Sequence, residues 1–339
     1  MSSSNAESKL VAMDLLRHIC LAMTALVCLG APCLQQTWAQ SYPSKPVQLV
    51  VASIPGAATD LVARTLSDRL AERMGAPVVV TNNGGAAGLV AAQALKRAAP
   101  DGYSILLATD SLALMMALGT NRDVNVLRDF EMIVLNVVID FYLAVSGDAL
   151  GANGAQDLVR LTRTSPGKFS YASPGVGSPH HLAMELFKQQ TGADLLHVPY
   201  NGIARAVPDL LSGRVQALIT GMPAIASQLA GGKIKVLAVA ASRRSPERPD
   251  TPSLAEAGIP NVELQGYNYA LAPQGTPAAI VSRINAEINE VLKNPQVRTE
   301  LTGRGTQGAG GTPGDLRKKL EGEVDKWTRV VKLAGIKPE

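Results

Sequence analysis

The strongest constraint on the fold is a repeated unit: a β-branched apolar run, a short loop of small residues, then a helical pattern. Its clearest instance is Val47-Gln48-Leu49-Val50-Val51, the loop from Ile54 to Asp60, and a helix carrying Leu61, Thr65, Leu66 and Leu70 on one side. The unpaired N–H groups and positive dipole end at the start of such a helix favour an anion. Gly56, Ala57 and Ala58 let a ligand approach the backbone closely, while Thr59 or Asp60 offers an alternative use of the helix start as a side-chain cap. The unit recurs as strand 78–80, the loop Asn82-Asn83-Gly84-Gly85-Ala86-Ala87-Gly88 and helix 89–98, then strand 103–108 ending at Thr109-Asp110-Ser111. Alternation at this spacing predicts an α/β fold with parallel strands flanked by helices, in which ligands collect at the carboxyl ends of the strands.

The pattern changes at two long apolar strands, 132–139 and 141–145, and a second α/β unit follows. It reads as helix 155–163, strand 169–172, the loop from Ser173 to Gly177, and a helix opened by Ser178 as N-cap and Pro179 at the first position. Strand 195–198, helix 204–211 and strands 215–220 and 234–240 continue it, before a Pro- and Arg-rich surface stretch at 242–252 and a short helix ending at Gly258. Strand 267–272 reads as a return to the first sheet, and Thr276-Pro277 as another capped helix start. Thr312-Pro313-Gly314-Asp315 forms a capping box. The helix it opens carries a stripe of Leu316, Leu320, Val324, Trp327 and Val331, expected to pack on the first domain. With 339 residues, 46% of them hydrophobic, the chain can bury the cores of two domains.

All three cysteines, Cys20, Cys28 and Cys33, fall within the first 33 residues. Lys9 and Arg17 precede a short apolar run at 19–29, and Thr37-Trp38-Ala39 gives a small-x-small pattern. These predict a signal peptide over residues 1–39, cleaved after Ala39, with Met13 an alternative start. The exported chain then lacks cysteine, and with it disulfides and zinc-thiolate sites. The net charge of +4 is scattered and aromatics make up only 4%, which argues against nucleic-acid binding.

Candidate catalytic groups are sparse. His180 and His181 point about 100° apart on a helix and do not share a metal, and no His-Glu-x-x-His motif is present. Ser178 and His181 lie within one helical turn, which admits a nucleophile and base, but a capping serine and a packed histidine is the favoured reading. Gly175-Val176-Gly177 begins like a dinucleotide fingerprint, but His180 stands at its third glycine position, and no phosphate-loop Gly-Lys-Ser/Thr occurs. No metal, cofactor or catalytic residue is expected. What remains is a cleft between two halves with N–H-rich loops, suited to a carboxylate.

The chain from Tyr42 onward resembles the Bug-type (TctC-type) extracytoplasmic solute receptors of tripartite tricarboxylate transporters. The resemblance rests on Tyr42-Pro43-Ser44-Lys45-Pro46, Pro55-Gly56-x-x-Thr59-Asp60-x-Val62-Ala63-Arg64, Pro100-Asp101-Gly102-Tyr103 and Asp129-Phe130. It continues through Pro166-Gly167-Lys168-Phe169-Ser170-Tyr171-Ala172-Ser173, Gly175-x-Gly177-Ser178-x-x-His181-Leu182, His197-Val198-Pro199-Tyr200-x-Gly202 and Leu271-Ala272-Pro273-x-Gly275-Thr276-Pro277. It implies a two-domain Venus-flytrap fold (type II-like) with two interdomain crossovers: residues 40–141 and 266–339 as one domain, 142–265 as the other. It also implies a monomeric periplasmic receptor that hands a small organic acid to membrane transporter subunits, with a sensor subunit or a secreted hydrolase as the alternatives. Carried over residue by residue, the ligand site comprises Ile54, Gly56, Ala57, Ala58, Thr59 and Asp60 on one wall. Ser173, Gly175, Val176, Gly177, Ser178 and Thr220 form the other, with Asn82, Thr109 and Tyr200 as further cleft positions. The sequence departs from the family at Ile54-Pro55-Gly56-Ala57, where Pro-Pro-Gly-Gly is usual, at Thr220, often aspartate, at Asn201, commonly lysine, and at Leu89, frequently asparagine. A threonine at 220 disfavours a ligand amine, and Ala57 adds a methyl where backbone meets carboxylate.

Overall fold

The computed structural model describes residues 42–120, 123–147 and 151–335; the expected leader and its cleavage point lie outside them. The described residues from Pro43 onward form one compact unit. Its first strands, β1 (Val47–Val51), β2 (Val78–Asn82) and β3 (Ser104–Thr109), are parallel in the order β2-β1-β3. Helices α1 (Ala58–Met74), α2 (Leu89–Lys96) and α3 (Ser111–Leu118) follow them in turn. The predicted alternation therefore holds, because strands buried on both faces need a helical crossover between parallel neighbours.

The two apolar strands expected at 132–139 and 141–145 are one continuous strand, β4 (Phe130–Ser146). Residues 130–140 of β4 pair antiparallel with β9 (Gln265–Pro273), and residues 135–138 pair with β10 (Gln307–Gly310) on the other side. From Phe141 onward its partners change to β7 (Ala217–Gly221) and β8 (Ile234–Val239). Asp140, read from sequence as a break, simply continues the strand, its carboxylate accepting from Gln265 Nε2 and Gln307 Nε2 at 3.3 and 2.8 Å. The second sheet is completed by parallel strands β5 (Ser170–Ser173) and β6 (Leu196–Pro199). Helices α4 (Ala155–Thr164), α5 (Pro179–Thr191), α6 (Ile203–Leu211) and α7 (Ala226–Leu229) belong to this half, and β9 returns the chain to the first sheet as predicted.

Helices α8 (Ala278–Lys293), α9 (Pro295–Gly303) and α10 (Pro313–Ala334) close the chain. Thr276 does not cap α8: its hydroxyl donates to the Pro273 carbonyl at 2.7 Å, and Pro277 takes the cap position. The short helix expected before Gly258 is a turn. The capping box of α10 is present, with Thr312 Oγ1 accepting from Asp315 N at 3.1 Å and Asp315 Oδ2 accepting from Thr312 N at 2.8 Å. The expectation that α10 packs on the first half alone is corrected. Leu316 and Leu320 join the core around Phe130, Tyr269 and Leu271, whereas Trp327 and Val330 join the core around Leu143, Tyr171 and Phe187. The helix is long enough that its 3.6-residue stripe reaches both cores.

Truncating Trp327 to Ala should therefore destabilise the protein by about 3–5 kcal/mol, against about 1 kcal/mol for Thr312→Ala at the helix cap. Urea unfolding of the two variants measures the difference. A loss for Trp327→Ala no larger than that for Thr312→Ala would show that the end of α10 contributes little to the second core.

Candidate functional site

The ends of β1, β3 and β5 and the helices that follow them meet at a cavity of about 250 Å³. Ala58 and Thr59 enter it from the first turn of α1, Asp110 and Ser111 from the start of α3, and Pro179 and His180 from the first turn of α5. Three helix N-termini thus border one space. No arginine or lysine lines it; Val62, Val137, Ile139 and Phe141 give it apolar walls.

The loop after β1 is fixed by Asp60. Neither Asp60 nor Thr59 is the N-cap; that position is Ala57, with no side-chain cap. Asp60 lies in the first turn and is 2% exposed. Its Oδ2 accepts from Gly56 N at 2.9 Å and Arg64 Nε at 3.0 Å, and its Oδ1 accepts from Asn82 Nδ2 at 2.9 Å. Burial alone would raise the pKa of this carboxyl, but hydrogen bonds from Arg64, Gly56 N–H and Asn82 prevail and hold it below the ordinary value. Gly56 reaches Asp60 through a left-handed turn, φ +80°, that suits glycine. Asn82 therefore serves the loop from behind, also donating to the Ser53 carbonyl at 3.3 Å.

The loop after β5 is fixed by serines and histidines. Ser178 caps α5 as predicted, accepting from His181 N at 3.3 Å, and its hydroxyl donates to the Gly175 carbonyl at 2.7 Å. His181 Nδ1 accepts from Gly177 N at 3.0 Å. Ser178 and the His181 ring are thus each engaged with backbone and do not form a nucleophile–base pair. Ser173 is buried, donates to the Gly175 carbonyl at 3.0 Å and lies 2.7 Å from His197 Nε2. The rings of Tyr171, His197 and His181 stack beneath, with centroids 4.9 and 4.0 Å apart. Burial lowers the pKa of His181, and burial followed by the neighbouring His181 brings that of His197 to about 4, so both rings are neutral at pH 7.

Of the site residues expected from sequence, Ala58, Thr59 and Thr109 border the cavity. Gly56, Ala57, Asp60 and Asn82 build the loop behind the first wall, and Ser173, Gly175, Gly177 and Ser178 build the second. Ile54 and Val176 are 68% and 50% exposed on their loops. Thr220 is buried in β7 opposite Tyr142, and Tyr200 donates to Asp209 Oδ2 at 2.7 Å; neither borders the cavity. Sequence reading missed Phe141, Gly266, Asn268 and Thr306, which do. Asn268 had a signal, a lone polar residue inside the apolar run of β9. Among the described residues, no cluster of His, Cys, Asp or Glu has the makings of a metal site.

Asp110 is the one ionisable acid on the wall. Burial first, then the charge of Glu323, raises its pKa from 3.8 to about 7, against the opposing effects of Ser111 N–H and Lys319. The folded protein thus holds this proton more tightly than the unfolded chain does. The resulting stabilisation is fully present below pH 3.8 and is lost as pH rises through about 7. Asp110→Asn removes the titration, so the variant's stability relative to the parent should rise between about pH 5 and about pH 8 in urea unfolding. An unchanged difference would mean that Asp110 titrates alike in both states.

Comparison with known proteins supplies the identity of this arrangement. Residues 62–336 match the tripartite tricarboxylate transporter family receptor model. The chain is 34% identical over 302 residues to the protein BugT of Bordetella pertussis, covering 88% of this chain and 92% of BugT. Rpa4515 of R. palustris with adipate superposes with a TM-score of 0.71 at 32% identity, covering 88% of this chain and all of that one. MatC of Rhodopseudomonas palustris with bound malate gives 0.68 at 28% identity, covering 86% and 100%. The fold is that of periplasmic binding proteins, and the family is one of receptors, not enzymes. The chain belongs to the solute-binding receptors of the tripartite tricarboxylate transporter family.

Proposed function

We propose that this receptor captures a small organic acid in the cavity between its two sheets and delivers it to the membrane subunits of a tripartite tricarboxylate-type transporter. One observation carries the reading: three helix N-termini border a single cavity that has no lysine or arginine of its own. Unpaired N–H groups at the start of α1 and the dipoles of the three helices hold a carboxylate there without a formal counter-charge. The adipate and malate of the two relatives are acids of the same kind. The site residues act in two ranks. Ala58, Thr59 and Thr109 touch the ligand, while Asp60, Asn82, Ser173 and Ser178 keep the two loops in shape.

The chain divides into residues 40–141 with 266–339 and residues 142–265, with a hinge at 141–143 and 265–267. The ligand touches both halves and favours the closed state by binding it more tightly than the open one. The protein works as a monomer in the periplasm, after loss of a leader cleaved at Ala39. No helix of the described residues is long and apolar enough to cross a membrane.

A thermal-shift screen of the purified protein against mono- and dicarboxylates tests the reading. A ligand at a hundred times its Kd should stabilise by about 2.7 kcal/mol. Asp60→Ala and Ser178→Ala should each weaken that ligand by about tenfold, through loss of one or two hydrogen bonds that shape the loops. Silence across all carboxylates, or full affinity in both variants, would overturn the assignment.

A further inference from the structure

Three residues of the cavity wall, Asn268, His180 and Tyr267, carry polar atoms for which the protein supplies no partner. Asn268, from β9, is 3% exposed; its Oδ1 accepts from Asn136 Nδ2 at 2.8 Å and its Nδ2 donates to nothing. His180, from α5, has Nδ1 buried and unpartnered, its ring edge-on to Phe141 at 4.9 Å between centroids. Asn268 and His180 line the cavity, one from each sheet's side. A buried polar group without a hydrogen bond costs about 1–3 kcal/mol, a cost removed when the occupant of the cavity bonds to it.

The remaining wall limits what that occupant can be. Phe141 lies so close to the bare backbone of Gly266 that a Cβ there would meet its Cε2 at 2.9 Å, which makes a flat apolar face. At about 250 Å³ the space exceeds the ~150 Å³ apolar cavity that accepts benzene. A second carboxylate would find no cation on the wall and would share the space with Asp110. We propose that the ligand is a monocarboxylate with an apolar, ring-sized body and a neutral hydroxyl, and that Asn268 and His180 read the hydroxyl. This rests on the carboxylate reading above and narrows it. A hydroxyl accepts from Asn268 Nδ2 and donates to the imidazole Nδ1, using the unpartnered atoms of Asn268 and His180 at once. Burial lowers the His180 pKa to about 4, so the ring is neutral and retains a lone pair. The two dicarboxylates of the relatives then differ from this chain's ligand at the end remote from the shared carboxylate.

Isothermal titration of the purified protein with 4-hydroxybenzoate, benzoate, adipate and malate tests the proposal. The hydroxylated acid should bind about tenfold more tightly than benzoate, the effect of pairing two buried polar atoms, and both should bind more tightly than either dicarboxylate. Asn268→Ala and His180→Phe should each reduce the hydroxyl preference to about threefold or less while leaving benzoate affinity within about threefold. The His180→Phe variant keeps ring volume against Phe141 and disturbs no hydrogen bond within the protein, so the test survives if Asn268→Ala folds poorly. A dicarboxylate that binds more tightly than both aromatic acids, or a hydroxyl preference unchanged in His180→Phe, overturns this proposal and leaves the carboxylate reading intact. Failure of all four acids to bind overturns both.

Discussion

A single strand ties the molecule together. The seventeen residues Phe130–Ser146 are hydrogen-bonded first to β9 and β10 and then to β7 and β8, so both sheets share one backbone. The change of partners at Phe141 coincides with the cavity wall. A register irregularity follows between Leu143 and Ala144, of the kind that lets a strand bend and twist locally without losing its ladder. The proposed closure therefore acts on a strand whose amides stay paired. Helix α10, inserted in both cores through Leu320 and Trp327, restrains the same movement from behind. Such an arrangement favours a modest rotation over wide opening.

The proposed carboxylate site has no cation on its wall, and that has consequences. A helix terminus contributes about 0.3–1 kcal/mol to a nearby charge, up to ~2 kcal/mol where partly buried. Several weak, fixed dipoles thus replace one strong ion pair and avoid desolvating a buried guanidinium or ammonium. The protein's own acids compete for the same field. Asp60 occupies the first turn of α1 and takes Gly56 N–H, but three donors saturate it and leave the following N–H groups free. Asp110, at the head of α3, is held only loosely by Ser111 N–H and stays largely protonated below neutrality. The start of α1 is accordingly the stronger part of the proposed carboxylate site, since at α5 Pro179 has no N–H and Ser178 Oγ takes that of His181.

Much of this was legible in sequence because it depends on neighbours in the chain. The strand–loop–helix units, the Ser178 cap and the Thr312–Asp315 box each follow from residues within a few positions of one another. Distant pairings were not legible. Asn136 and Asn268 are separated by 132 residues and meet only through the register of β4 with β9. Phe141 looked like the start of a second strand because Asp140 interrupts an apolar run, whereas two glutamines from later in the chain satisfy that carboxylate. Thr220 and Tyr200 were expected in the cleft from the family resemblance, but sheet pairing buries the first and Asp209 holds the second. The spacing of residues located the loops; which side chains border the space was decided by non-local register.

The second wall is preformed to a degree that the first is not. Tyr171 donates to Glu185 Oε1 at 2.7 Å beneath the stacked His197 and His181, and the two imidazoles hold Ser173 and Gly177 N–H from below. That support requires neutral rings, since a protonated His181 would present an N–H to the Gly177 N–H. Because burial depresses the folded pKa values of His181, His197 and the neighbouring His180, their contribution to stability is full above about 6.5, the unfolded value, and is lost on acidification, toward about 4 for His180 and His197. Asp110 opposes this, since its raised pKa gains the fold stability over much of the same range. Between those limits the unfolded chain holds protons on the three histidines while the fold holds one on Asp110. Among these groups the histidines outweigh the aspartate, and the acceptor that His181 offers to Gly177 N–H is intact from neutrality upward.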